Sequence, residues 1–399
     1  MLTLDRVYQA AHSLRDIVRQ TDIIRSKNIA PDCDLYLKTE NLQITGSFKV
    51  RGAFFKIASL SEDERRKGVI ACSAGNHAQG VALSAQRAGI ASTIFIPSVA
   101  PLSKIESTRR FGAEIKIVDG VYDDACDAAF QYQKDNGGVF IHPFDDEDVI
   151  AGQGTIGLEI LEQVSNLDAV IVPVGGGGLI SGIAFVVKKL NPNCKVYGVQ
   201  ASGASSMCSS LHNRKRTNLS SVSTFADGIA VKSPGVTTYQ MCQQFVDEII
   251  TVSDDEIATA LLTLMEQQKL VAEGAGAVSV AAAMFSKLPL KGKKVCAIIS
   301  GGNIDVNILS KVIGRGLLTT GRLSQLKIEM VDKPGQLQEV ASIIAAMGAN
   351  VTQVLHNPGG EKTDINGCYL HISMETRNKQ HYIDIKEAIS KAGYKILEG

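Results

Sequence analysis

Neither charge is in excess in this sequence: 41 Lys and Arg stand against 41 Asp and Glu over 399 residues. Nucleic-acid binders gain most of their affinity by neutralising phosphates, so a balanced chain argues against that class. The one short basic run, Arg214-Lys-Arg216, follows a Ser-rich stretch and reads as a solvated loop. No two of the eight cysteines form a C-x-x-C pair, which leaves neither a zinc site nor a disulfide framework to read. A reducing compartment fits that usage. The first residues make a charged amphipathic start without the apolar core of a secretory signal. The longest apolar stretch, residues 275–285, falls well short of the ~20 residues a membrane span needs. A cytoplasmic protein is expected. Internal repeats and low-complexity tracts are missing as well.

What is present is a globular composition, 45% hydrophobic and 21% charged, in a chain too long for one ordinary core. Short β-branched runs at 68–72, 92–96, 114–118, 169–174, 195–199 and 294–299 recur, most of them followed by a small-residue turn and an amphipathic helix. That alternation predicts an α/β fold with mainly parallel sheets covered on both faces. Such sheets take ligands at the carboxyl ends of their strands, which puts the loops at Ser73, Gly175 and Ser300 on ligand-facing edges. The rhythm changes near residue 325. An alternating strand, the turn Asp332-Lys-Pro-Gly335, a helix through Met347, a strand from Asn350, a break at 357–360, a strand at 367–375, a helix and a short strand follow. This β-α-β-β-α-β order predicts a separate ferredoxin-like domain over 325–399, after a first region over 1–320.

Four segments carry chemistry. In Thr45-Gly-Ser-Phe-Lys-Val-Arg-Gly52, Lys49 sits between Phe48 and Val50 after a Gly-Ser turn. A lysine read alone is a surface charge, but a desolvated one loses its proton and attacks aldehydes. In Cys72-Ser-Ala-Gly-Asn-His-Ala-Gln-Gly80 a strand closes and a helix opens, and helix starts bind carboxylates; the plain alternative is an N-cap. In Val172-Pro-Val-Gly-Gly-Gly-Gly-Leu-Ile-Ser-Gly182 four successive glycines cost ~0.5–1 kcal/mol each in ordering, reasonable where backbone N–H groups wrap a phosphate. The dinucleotide fingerprint and the Walker A pattern both fail there, which leaves a monophosphate. Ile298-Ile-Ser-Gly-Gly-Asn303 adds a neutral hydroxyl at a further strand end. Amine, anion loop, carboxylate site and hydroxyl are what pyridoxal 5'-phosphate holding an amino acid requires.

These four motifs, in this order and spacing, resemble the serine/threonine dehydratase family of fold-type II (tryptophan synthase β-like) pyridoxal-phosphate enzymes. The tail resembles an ACT domain, whose D-x-P-G-x-L turn stands here as Asp332 to Leu337. The resemblance implies two parallel-sheet domains, the smaller roughly over 49–150 and inserted in the larger. It makes Lys49 the Schiff-base lysine, whose freed amine removes the α-proton, and Phe48 the residue against the cofactor ring. Asn76 would bond the 3′-oxygen, and Gly175, Gly176, Gly177, Gly178 and Leu179 would cradle the phosphate. Ser73, Ala74, Gly75, Asn76 and His77 would form the substrate-carboxylate loop. Ser300 would face the pyridine nitrogen. The implied reaction converts L-threonine to 2-oxobutanoate and ammonia, with L-serine to pyruvate beside it. The ACT tail implies control by isoleucine or valine, which leans towards a role in isoleucine biosynthesis while leaving threonine breakdown open. It also implies a homo-oligomer, with a homotetramer expected.

Two departures weigh on other readings. Serine racemases of this pattern carry a second serine where Ala74 stands, and Ala74 has no proton to give. Some relatives hold a cation near an Ala-Asp-Gly turn. Ala226-Asp-Gly228 is present, but Ser223, Thr224 and Phe225 before it offer no carboxylate, so no metal is assigned. β-Replacement relatives usually carry threonine at the position of His77. A reading of another class, an amino-acid sensor with a degenerate enzyme body, sits poorly with the intact Lys49, Asn76, tetraglycine and Ser300.

Overall fold

The computed structural model describes residues 2–358 and 365–397. Two compact units divide between Asp305 and Val306. The sequence places that boundary at 320–325, so the helix Val306–Thr319 falls instead with the second unit.

The first unit is built on two sheets. The larger runs Ile23–Ser26, Asp34–Lys38, Lys294–Ile298, Ala169–Pro173, Lys195–Ala201, Glu248–Val252, with the first pair antiparallel and the rest parallel. The smaller is parallel throughout: Glu114–Val118, Ser92–Pro97, Val69–Cys72, Val139–Phe140. Ala169–Pro173 and Ser92–Pro97 are buried along their whole length, as strands covered on both faces must be. The pair at the start of the larger sheet and the edge strand Glu248–Val252 have no counterpart in the sequence reading. Asp34-Leu-Tyr-Leu-Lys38 carries charge at both ends and owes its place to pairing with the distant Lys294–Ile298.

Three helices set the site. Asp146 caps the N–H groups of Asp148 and Val149 and so starts Glu147–Gln163. That helix lies against both Lys49–Ala58 and Gly178–Leu190 at glycines. A Cβ at Gly152 would stand 2.6 Å from the Arg51 carbonyl oxygen, and one at Gly182 would stand 2.4 Å from that of Ile150. Packing that leaves no room for a Cβ at either glycine fixes the helix that opens with Lys49 against the one that follows the glycine loop, through the helix between them.

The second unit has one antiparallel sheet in the order Asn350–Pro358, Gly367–Glu375, Leu323–Val331, Lys395–Leu397. Helices Gln336–Ala346 and Lys379–Lys391 complete the β-α-β-β-α-β succession of an ACT-like domain. Leu323–Val331 buries Ser324, Leu326, Ile328 and Met330, the alternation of a sheet with one covered face. Gly335 takes φ +93° at the turn into the first helix, a conformation that favours glycine. Of the break expected at 357–360, residues 359 and 360 lie outside the described residues. Among the described residues no helix is long and apolar enough to cross a membrane.

Candidate active site

Three strands end together: Cys72 closes one in the smaller sheet, and Pro173 and Ile298 close neighbours in the larger. The loops beyond them line one cavity of about 1010 Å3. Its wall includes Phe48, Lys49, Ser73, Ala74, Gly75, Asn76, His77, Gly175, Gly176, Gly177, Gly178, Leu179 and Ser300, so every candidate site residue from the sequence meets there.

The lysine segment and the Ser-Gly-Gly-Asn segment, far apart in the chain, are zipped together. Ser47 bridges Gly301, the Phe48 N–H donates to the Ser300 carbonyl at 3.1 Å, and the Gly302 N–H donates to Gly46 at 2.8 Å. Lys49, at the first position of its helix, is held by this zipper and donates from Nζ to the Pro143 carbonyl at 2.8 Å. Burial brings its amine down to about 8, against the opposing pull of Glu273. The Phe48 ring centre is 5.2 Å from that amine. Ser300 is 3% exposed and its hydroxyl makes one long bond, 3.4 Å, to the Ala275 carbonyl.

Two helix N-termini open on the cavity, and no side chain caps either: Asn76–Ala88 after Gly75 and Gly178–Leu190 after Gly177. Their first-turn N–H groups and dipoles favour anions. Gly177 takes φ +101°, and a Cβ there would lie 2.6 Å from Met207 Cε and 2.8 Å from Thr238 Cβ. Gly177→Ala is therefore expected to cost about 1–3 kcal/mol through strain alone. A melting point that falls together with affinity for pyridoxal phosphate would bear this out; an unchanged affinity would remove the loop from the anion site.

His77 is 3% exposed. Burial, with Lys49 next, holds its pKa down to about 3, and Nε2 meets the Ile141 carbonyl at 2.7 Å. The ring is neutral with its one N–H spent on Ile141, and Nδ1 meets no partner among the described residues. His77 thus has no side-chain donor for a carboxylate; what it can offer is its backbone N–H.

Several residues at this site escaped the sequence reading. Glu273, 5% exposed, accepts from Asn76 Nδ2 at 2.8 Å; burial first, then Asp227, pushes its pKa up to about 7. A lone acid at the edge of the longest apolar stretch was its available signal. Asp145 accepts from the N–H groups of Val236, Thr237 and Thr238, starting the helix Val236–Phe245. Phe144 fills the space beside the glycine loop, 2.5 Å from where a Gly176 Cβ would be. The run Ile141-His-Pro-Phe-Asp145, a proline between two aromatic rings, could have marked both. Asp227, in the Ala-Asp-Gly turn, is paired with Lys104.

An amine of lowered pKa beside a glycine cradle that admits no Cβ, with an underused hydroxyl facing the same space, fits pyridoxal phosphate. The relatives agree. Residues 14–301 match the family model described as pyridoxal-phosphate dependent enzyme. The L-threonine ammonia-lyase of Thermotoga maritima is 47% identical over 398 residues, 99% of both chains. Among solved structures, the processed form of threonine deaminase isoform 2 from Solanum lycopersicum is 38% identical with a TM-score of 0.74, covering 78% of this chain and 87% of its own. Maize serine racemase is 35% identical with a TM-score of 0.75, covering 79% and 98%. With the match spanning well over half of its length, and the cavity built to suit the cofactor, this chain belongs to the pyridoxal-phosphate dependent enzyme family.

Proposed function

We propose that this chain dehydrates and deaminates L-threonine to 2-oxobutanoate and ammonia, and takes L-serine to pyruvate beside it. The observation that carries the reading is Lys49, an amine lowered to about 8 in a cavity walled by two uncapped helix starts. Two anion sites flanking one nucleophilic amine suit a phosphate on one side and an amino-acid carboxylate on the other. The choice of threonine follows the name of the Thermotoga maritima relative, which matches this chain end to end, ACT-like unit included.

When bound, the cofactor supplies an aldehyde to the amine and a ring that draws electrons from the substrate α-carbon. Gly175 to Leu179 hold the phosphate through backbone N–H groups, and Phe48 packs beside the ring. Ser73, Ala74, Gly75 and the first turn of Asn76–Ala88 hold the substrate carboxylate, with His77 acting through its backbone. The Lys49 amine takes the α-proton, because its lowered pKa keeps a useful fraction unprotonated near neutrality. Ser300 offers a neutral hydroxyl to the ring nitrogen. Being neutral, it does not enforce a positive ring, which favours elimination over transamination. Ala74 provides no acid where serine racemases of this pattern carry their second serine, so D-serine release stays below pyruvate release by about a hundredfold or more.

The first unit carries the reaction. The second, by its resemblance to ACT domains, binds an amino-acid effector, isoleucine as inhibitor and valine as antagonist, within a cytoplasmic homotetramer. The test is 2-oxo-acid release from L-threonine and L-serine, with and without isoleucine, in protein whose visible spectrum shows bound cofactor. Keto acid from threonine, reduced by isoleucine, supports both parts. Bound cofactor with no keto acid from either substrate would overturn the reaction.

A further inference from the structure

Beyond the residues that face the cofactor, a directional chain of hydrogen bonds runs behind Asn76. The Thr45 carbonyl can only accept. Asn303 Nδ2 therefore faces it, at 2.7 Å, and gives its second hydrogen to Asn76 Oδ1 at 2.8 Å. Asn76 Oδ1 is thereby the acceptor, and Asn76 Nδ2 donates to Glu273 Oε1 at 2.8 Å. Nothing in an asparagine side chain alone sets which end is oxygen and which nitrogen. Here one end of the chain is a backbone carbonyl, which can only accept, so the order of donors and acceptors from Thr45 through Asn303 to Asn76 has a single solution.

We propose that Glu273 and Asn303 are positioning residues that lock the Asn76 amide in one orientation, its second N–H kept for the 3′-oxygen of the cofactor. This rests on the reading of Asn76 as the partner of that oxygen. In the reversed orientation Asn76 would present a carbonyl lone pair to a negatively charged oxygen and repel it. The surroundings are shaped around the chain. A Cβ at Gly301 would lie 2.4 Å from Glu273 Oε1, and one at Gly46, which sits at φ +71°, would lie 2.4 Å from Asn303 Oδ1. Burying a carboxylate is costly, and Glu273 at 5% exposure takes its hydrogen bond from Asn76. Asp227, Lys104 and Lys49 act on it through charge alone. A carboxylate kept there only for stability would be better replaced by an apolar side chain.

The test is a double-mutant cycle on the holoenzyme, read by cofactor dissociation constant and by the position of the cofactor's visible band. Glu273→Gln is isosteric but can donate as well as accept. Asn303→Asp can no longer donate to either Thr45 or Asn76. Each is expected to weaken cofactor binding about tenfold, the worth of one hydrogen bond to a charged group, and to move the band as Asn76→Ala does. Glu273→Gln added to Asn76→Ala should cost nothing further. A Glu273→Gln effect of undiminished size in the Asn76→Ala background would overturn the proposal, since it would not act through Asn76. Wild-type affinity and band in both Glu273→Gln and Asn303→Asp, with Asn76→Ala impaired, would overturn the positioning alone. An Asn76→Ala holoenzyme identical to wild type would remove the reading of Asn76 and this proposal with it.

Discussion

Lys49→Ala is expected to lower 2-oxobutanoate formation from L-threonine by about a thousandfold or more, while the protein stays folded. The reason lies in the neighbours. His77 is neutral, with its pKa about 3 and its N–H held by Ile141, and Lys104 is engaged by Asp227. Neither can stand in as base or nucleophile. In the fold, the Lys49 amine makes one hydrogen bond, to Pro143, so its loss costs about 1 kcal/mol and moves Tm by only ~2–4 °C. Lys49→Arg keeps the charge but not the titration, because a guanidinium stays protonated, and so does not rescue. The lowered pKa has its own signature. With a value of about 8, roughly a tenth of Lys49 is unprotonated at pH 7, against well under a thousandth for an ordinary lysine. In cofactor-free protein, acylation of Lys49 by an amine-selective reagent should rise about tenfold per pH unit and level off near 8. Surface lysines of the same chain should keep rising beyond pH 10. Peptide mass spectrometry separates the two, and a Lys49 profile matching the surface lysines would remove the basis for its role as base.

Much of this site was legible because its chemistry sits in runs of unusual local composition. Four glycines in a row, Asn-His after Ser-Ala-Gly, and a lysine between Phe48 and Val50 each break the pattern of an ordinary strand–turn–helix. Parallel strands such as Ala169–Pro173 also announce themselves, since burial on both faces demands an unbroken apolar run. What was not legible is what depends on distant partners. Glu273, Asn303, Pro143 and Asp145 act through contacts made only when three strand ends meet. The strand Asp34–Lys38 is mixed in polarity, and its place inside the sheet, one strand from the edge, comes from pairing on both sides. Local pattern reports which segments carry chemistry; the supporting residues are single polar side chains whose meaning is set by the fold.

Arg51 is the clearest of these, and Arg51→Leu is expected to be strongly destabilising. It is 1% exposed, two residues beyond Lys49 on the same helix. It grips Glu40 with two bonds of 2.8 Å and Glu159 with bonds of 2.6 and 3.0 Å, while Lys38 holds Glu159 at 2.6 Å. Two cations and two carboxylates cancel. Burial would raise the pKa of Glu40, but Arg51 outweighs it and holds it below the usual carboxylate range. Leucine would leave two carboxylates to one ammonium, at a cost of about 3–5 kcal/mol, or a Tm lower by roughly 6–20 °C. The sign with pH follows from the depressed value. The Glu40 contribution is complete above its unfolded pKa and is lost as pH falls through the lower folded one. The gap in stability between wild type and Arg51→Leu should therefore narrow on acidification. Replacing the whole quartet (Lys38→Met, Glu40→Leu, Arg51→Met, Glu159→Leu) should cost less than Arg51→Leu alone, because no charge is then stranded. If it costs more, the ion pairs themselves are the source of stability and the desolvation argument is wrong. Arg51 does not line the cavity, so kcat per folded molecule should stay within about tenfold of wild type, which separates its effect from that of Lys49.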